Sequence, residues 1–362
     1  MTATESSIPS KISKSNPFIG THDGRFHCDD VTACYMLKTM DRFKNHDIVR
    51  TRDADKLAQA EIIVDVGGEL NVDTLRLDHH QRTFNQTILD YHPKMKVTNP
   101  DHPIKLSSSG LVYSIFGKDF ITNKLGFGKV YADLKDEKNR DMVDRIYEKA
   151  YLDIFEEIDA IDNGVEVVSD PQAVYNYHIN SGLSSRVGRF NPPSGSTPEE
   201  RLEKFVQAMK MVGDEIGQII EHLSQEWWPK RERFVDSVHK RKEFDESGQV
   251  VFLEEDLVSV YRSLLYDLEK ELGIQGEIKY LVYKNETQWR AQAVSVDSKS
   301  FKSRVPLKEE WRGKRDEDLQ NTSGIPDANF VHMSGFTGGA GTLEGIKRMV
   351  RVTLGMDANG QS

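Results

Sequence analysis

The sequence predicts an α/β fold: an N-terminal doubly wound, mainly parallel sheet, a long helical connector, and a smaller α+β C-terminal domain. Three observations predict it. In the first half, short apolar strands alternate with helical segments, the pattern of a parallel sheet. Near the middle, the Pro- and Ser-rich stretch Phe190-Asn191-Pro192-Pro193-Ser194-Gly195-Ser196 opens an apolar stripe at helical spacing. From Gln249 onward, strands pair through a hairpin signal at Asn285-Glu286-Thr287. The boundaries this gives are a disordered tail at 1–16, a first domain at 17–190, the linker and long helix at 191–248, a smaller α+β domain at 249–355, and a second tail at 356–362.

Strands are expected at 17–21, 47–51, 61–66 and 75–77. Between the first two, Val31, Cys34, Leu37 and Met40 recur at three-residue steps, marking a helix capped by Asp29 or Asp30. Leu106-Ser107-Ser108-Ser109-Gly110 leads into an apolar run, and its serines suit a helix N-cap. A helix over 141–162 follows from Met142, Ile146, Ala150, Ile154 and Ile158, with Asn163-Gly164 as its stop. Thr197-Pro198-Glu199-Glu200 then forms a capping box, and Leu202 to Trp227 carry the stripe for about seven turns. That stripe predicts packing between domains or a homodimer through the 199–228 helix. In the last third, strands are expected at 250–253, 277–284, 289–296 and 329–332. The run Ser334-Gly335-Phe336-Thr337-Gly338-Gly339-Ala340-Gly341-Thr342 reads as a glycine-rich loop before a helix, a place where backbone N–H groups meet an anion.

Composition excludes some functions. The 362 residues, 37% hydrophobic and 29% charged, are those of a folded chain without the run of about 18 apolar residues a membrane span needs. A formal charge of −10 argues against a protein that coats nucleic acid. It leaves a metal-dependent nuclease open, because bound cations supply local positive charge. Two cysteines, Cys28 and Cys34, point to reduced thiols and an intracellular setting, cytoplasm and nucleus, with the mitochondrion as an alternative.

Chemistry collects at strand ends. His22, Asp65 and Asp78-His79-His80 each end an apolar strand, and ligands of parallel sheets gather beyond those ends. Adding His27, Asp29 and one acid of the pair Asp159 and Asp162 gives enough O and N donors for two divalent cations. An acid at a helix C-terminus opposes the helix dipole unless a cation compensates it. Two cysteines without a CxxC pair exclude a zinc finger, and no GxSxG elbow is present.

These residues carry a resemblance. His22 through Asp29, with Asp65 and Asp78-His79-His80, resembles the motif set of the DHH phosphoesterase superfamily. More closely, residues 17–355 resemble the melanocyte-proliferating-gene family of DHH-type 3′–5′ RNA exonucleases. The matching stretches include Ile19 to Asp30, Val64-Asp65-Val66-Gly67-Gly68, Asp78 to Arg82, Asp159 to Gly164, Ser303 to Leu307, Trp311-Arg312-Gly313 and Val331 to Phe336. Asp23 and Asp30 stand where the family often has Asn and Glu. The resemblance implies that His22, His27, Asp29, Asp65, His79 and Asp159, preferred over Asp162, hold two Mn²⁺ or Mg²⁺ ions. It implies a catalytic set of Asp78, His79 and His80, with Asp65 bridging the ions, His80 facing the leaving oxygen or phosphate and Asp78 orienting a histidine. Arg304, Arg312, His332, Gly338 and Gly339 would hold single-stranded RNA. The alternatives are a small-molecule phosphoesterase or pyrophosphatase acting on short oligonucleotides or cyclic dinucleotides, and a non-catalytic RNA-binding or scaffold protein with a relic site.

Overall fold

In the computed structural model the described residues are 16–126, 136–170, 172 and 179–356. The two expected tails lie outside them except for Asn16 and Met356. The chain is mixed α/β and divides into two compact units, residues 1–224 and 225–362.

The first unit is built on a five-stranded sheet: β1 (Phe18–Thr21), β2 (Asp47–Arg50), β3 (Ile62–Val64), β4 (Leu70–Asn71) and β5 (Arg76–Leu77). Its order is β2-β1-β3-β5-β4; β1, β2, β3 and β5 run parallel and β4 pairs antiparallel with β5 at the edge. The expected parallel strands are present, and the short edge strand β4 was not anticipated. Two residues are too few for an alternating pattern to register in the sequence. Ile19, Ile62, Val64 and Leu77 are fully buried, as strands covered on both faces require.

The Cys28–Thr39 helix packs against the Ser108–Lys124 and Pro198–His222 helices. Its N-cap is His27, and Asp30 closes the capping box from the third helical position, so neither Asp29 nor Asp30 is the cap itself. The Pro198–His222 helix spends its stripe inside the first unit. Phe205, Val212 and Ile216 are fully buried, and Gly213 lies so close to the Tyr35 ring that a Cβ there would be 2.2 Å from it. The connector expected at 191–248 is therefore divided between the two units, and the buried stripe of this helix packs within the first.

The expected helix over 141–162 is interrupted. It runs as Glu137–Ala150, a five-residue π-helical turn at Tyr151–Phe155, and Glu156–Asp162. A π turn adds a residue per turn and rotates everything after it.

The second unit carries β6 (Val250–Phe252), β7 (Tyr280–Lys284), β8 (Trp289–Ala293), β9 (Ala328–Val331) and β10 (Thr337–Ala340) in the order β6-β7-β8-β10-β9. All neighbours are antiparallel except β6 and β7. Strand β10 contains Gly338 and Gly339, which the sequence suggested were part of an anion-binding loop. They are ladder positions instead, registered with Val331 and Ala291, and with Phe330 and Arg290. Small residues are needed there because a Cβ on Gly338 would be 2.8 Å from Leu307 and one on Gly339 2.4 Å from Gln288. At the following helix start, Asp327 already accepts from the Thr342 N–H at 2.7 Å, and Thr342 caps Gly345.

Candidate metal centre

Three strand ends bring the site together. Beyond β1, the turn from His22 to His27 enters the Cys28–Thr39 helix, whose first turn presents Asp29 and Asp30. The turn is clamped from a distance: the Asn191 side chain accepts from the Phe26 N–H at 2.9 Å and donates to its carbonyl at 2.8 Å. Beyond β3, Asp65 adopts a left-handed backbone with φ +58°. Such a conformation is uncommon without glycine, is best tolerated by Asp and Asn, and clusters at functional sites. Beyond β5, Asp78 braces the loop. It accepts from the Gly68 N–H at 2.6 Å and the His80 N–H at 3.1 Å, and its Oδ1 lies 2.7 Å from His80 Nδ1.

Asp65 is the hub. Its Oδ2 lies 3.3 Å from His22 Nε2, and its Oδ1 lies 3.4 Å from His79 Nε2 and 3.5 Å from His80 Nδ1. His22, His27 and Asp65 form one group whose donor atoms all lie within 4.8 Å of each other, and Asp65, His79 and His80 form another. His27, Asp29 and Asp162 form a third, and Asp29, Asp30 and Asp65 a fourth. One carboxylate shared between histidine-bearing groups is the arrangement by which an acid bridges two cations.

Of the two candidate acids near 160, the structure brings Asp162 to the cluster, with Oδ2 3.1 Å from His79 Nε2. Asp159 faces away. Its fully buried carboxylate accepts from the Ser107 N–H at 2.9 Å, the Ser107 hydroxyl at 2.6 Å and the Tyr151 hydroxyl at 3.1 Å. Burial pushes its pKa up to about 7 against those donors. The resemblance prefers Asp159; in the structure that carboxylate is taken up by Ser107 and Tyr151, and Asp162 is the acid that lies in the cluster.

Charge balance shows what the cluster lacks. Burial, followed by the negative neighbours Asp65, Asp162 and Asp30, pushes the Asp29 carboxyl well above its ordinary range. Burial disfavours protonation of His22 and His79, yet the carboxylates around them outweigh it and leave both at about 9. Asp65 is held far below the usual carboxylate range by His22 and His79, although burial opposes this. Both oxygens of Asp29 and Nδ1 of His22 are buried without a hydrogen-bond partner among the described residues. A fully buried carboxylate so short of donors is either neutralised by a proton, the direction of its raised pKa, or held against a cation. The mixed imidazole and carboxylate set therefore fits divalent cations.

The substrate-holding residues expected in the second unit fare differently. Arg304 is spent internally, bidentate on Glu269 at 2.6 and 2.7 Å, with both side chains buried. Arg312 donates from Nε to the Leu307 carbonyl at 2.9 Å. His332 is exposed, with its ring beside Phe336 and its Nδ1 3.0 Å from the Ser334 hydroxyl. Sequence reasoning missed Asp30 as a cluster member, because an acid at the third helical position reads only as part of a cap; its Oδ2 lies 3.1 Å from His22 Nε2. It also missed Asn191, whose clamp on the His22–His27 turn spans 165 positions and leaves no local signal.

Comparison with known proteins finds relatives along nearly the whole chain. The MYG1_exonuc family model (Uncharacterised protein family, UPF0160) matches residues 18–354. The chain belongs to the MYG1 family. It is 42% identical over 340 residues to MYG1 protein C27H6.8 of Caenorhabditis elegans, covering 93% of this chain and 94% of that protein. It is 39% identical over 359 residues to a protein of Rattus norvegicus named MYG1 exonuclease, covering 98% and 90%. Identity to the MYG1 exonuclease of Homo sapiens is 38% over 361 residues, covering 98% and 91%. Among solved structures, RecJ from Thermus thermophilus in complex with Mg²⁺ aligns over 93% of this chain and 49% of that one, at 10% identity and a TM-score of 0.23, too low to carry an argument. Among the described residues of this MYG1-family chain, no helix is long and apolar enough to cross a membrane.

Proposed function

We propose that this MYG1-family protein is a metal-dependent phosphodiesterase, a 3′–5′ exonuclease that releases nucleoside monophosphates from single-stranded RNA. The observation that carries the reading is Asp65, shared between two histidine groups beside the unpartnered, fully buried carboxylate of Asp29. The name exonuclease borne by mammalian relatives supports it, and the choice of RNA and of the 3′ end rests on the resemblance of the motifs. In this reading His22, His27, Asp29, Asp65, His79 and Asp162 hold two cations. When bound, divalent cations supply a Lewis acid that favours in-line displacement at a phosphodiester phosphorus and offsets the charge developing there. Asp78 fixes the ring of His80, which is 63% exposed and so able to donate to a substrate oxygen. Asp65, in its constrained backbone, sets the spacing of the two histidine groups.

The test is direct. Purified protein with Mn²⁺ or Mg²⁺ is given 5′-labelled single-stranded RNA, the matching DNA, and a circular RNA of the same sequence. A descending ladder on linear RNA, with mononucleotide product, none after chelation and none on the circle, is the expected result. Efficient cutting of the circle would refute an exonuclease, and activity surviving exhaustive chelation would refute the cation site.

A further inference from the structure

The geometry points to a mononucleotide-sized pocket in the first unit, beside His27, Asp29 and Asp162, that takes the terminal nucleotide of the substrate, with Arg25 as its phosphate ligand; this rests on the phosphodiesterase reading above. The cavity is about 290 Å³. That lies at the small end of ligand pockets, enough for one nucleotide and too little for two. One wall carries His27, Asp29 and Asp162, residues that cluster at metal-ligand spacing. The others are apolar or small: Phe26, Ile158, Ile161 and Gly188. A flat base with a charged tail matches that division.

Three features separate this pocket from a chance hollow. Ile161, 47% exposed, stands at the pocket wall beside Ile158 and Phe26, an apolar surface that a stacked base would cover. Phe26 is held rigid: Asn191 clamps its backbone from both sides, Phe205 meets its ring edge-on at 5.5 Å and the Arg50 guanidinium lies 5.2 Å from its centroid. Arg25, next to it, is exposed and has neither ion pair nor hydrogen bond among the described residues. In a site whose other charged groups are acids and histidines, an uncommitted guanidinium at the wall is the group a phosphate would pair with bidentately. Arg304, the cation expected from sequence to grip the end, is already consumed by Glu269. The pocket assigns that task to Arg25.

Gly188 provides the lever for a test. It has an ordinary φ, and a Cβ added to it meets nothing within 4 Å. Gly188→Leu should therefore fill the cavity without backbone strain. The readouts are KM and kcat on single-stranded RNA, binding of AMP by calorimetry with Mn²⁺ present, and the rise in melting temperature that Mn²⁺ causes. Gly188→Leu should weaken AMP at least tenfold and raise KM to match, and the Mn²⁺-dependent rise should persist. Arg25→Gln should weaken AMP by a similar factor and leave adenosine unaffected, because only the phosphate contact is lost. Should Gly188→Leu disturb the fold, Arg25→Gln decides alone, since an exposed side chain contributes no packing. Unchanged AMP affinity in folded Gly188→Leu, or in Arg25→Gln, would overturn the pocket. A wild-type protein that binds AMP but cleaves no phosphodiester would overturn the proposed activity and leave the pocket standing.

Discussion

Asp159 and Asp162 sit three residues apart, and their exchange tests the centre most sharply. Asp162→Asn removes one anionic donor facing His79 and one of the charges pushing Asp29 up. Loss of a ligand should weaken the cation at least as much as loss of an outer-shell partner does, ten- to a hundredfold or about 1.4–2.8 kcal/mol at fixed metal. At a cation concentration one hundred times the wild-type dissociation constant, wild type gains about 2.7 kcal/mol from binding, so the variant should lose half or more of its metal-dependent stabilisation. In chelator two effects oppose, relief of repulsion on Asp29 and loss of the Asp162–His79 pair, so its melting temperature should change little. Asp159→Ala should do the reverse. It strips the acceptor from the buried Ser107 N–H and Tyr151 O–H. At roughly 1–3 kcal/mol for each orphaned donor, the loss is about 2–6 kcal/mol, on the order of 10 °C in a unit of this size. The assay is thermal unfolding followed by circular dichroism, with chelator at pH 6 for basal stability and with and without Mn²⁺ at pH 7.5 for the metal effect. The reasoning fails if Asp159→Ala abolishes the Mn²⁺ shift while Asp162→Asn retains it.

Four further outcomes are expected. Asp65→Asn should keep the fold, since Asn also tolerates a positive φ, yet lose both cation-induced stabilisation and turnover; folded protein with wild-type rates would contradict the hub role. Asp159, at about 7 in the fold against an ordinary 3.8, binds its proton more tightly folded than unfolded. Its stabilising contribution is complete below pH 4 and lost as pH rises through 7, so Asp159→Asn should flatten that part of the metal-free stability profile. Arg304→Ala should act on stability before substrate binding: it leaves Glu269 buried and unpaired at a cost of about 3–5 kcal/mol, visible as earlier urea unfolding of the second unit. Gly213→Ala should cost about 1–3 kcal/mol by driving a methyl group into the Tyr35 ring, measurable as a lower urea midpoint.

The sequence by itself determined the periodic features. Parallel strands with acids and histidines at their ends were legible because a covered strand is a continuous apolar run, and polar groups at its end stand out against it. Most of the cluster, His22, His27, Asp29, Asp65 and Asp78 to His80, was readable on that ground together with the motif resemblance. Only the tertiary structure decided matters that depend on rotation or on distant partners. Which of Asp159 and Asp162 meets the cluster is set by partners elsewhere in the chain, Ser107 and Tyr151 for the first and His79 for the second. Glycines 338 and 339 became strand because Leu307, Phe330 and Gln288 crowd them, a demand set by residues 8 to 51 positions away. Arg304 turned inward to a carboxylate 35 positions away, and the stripe at 198–222 found its partner in the helix at 28–39. Local pattern records which face of an element is apolar; which surface or charge meets that face is fixed only when the chain closes on itself.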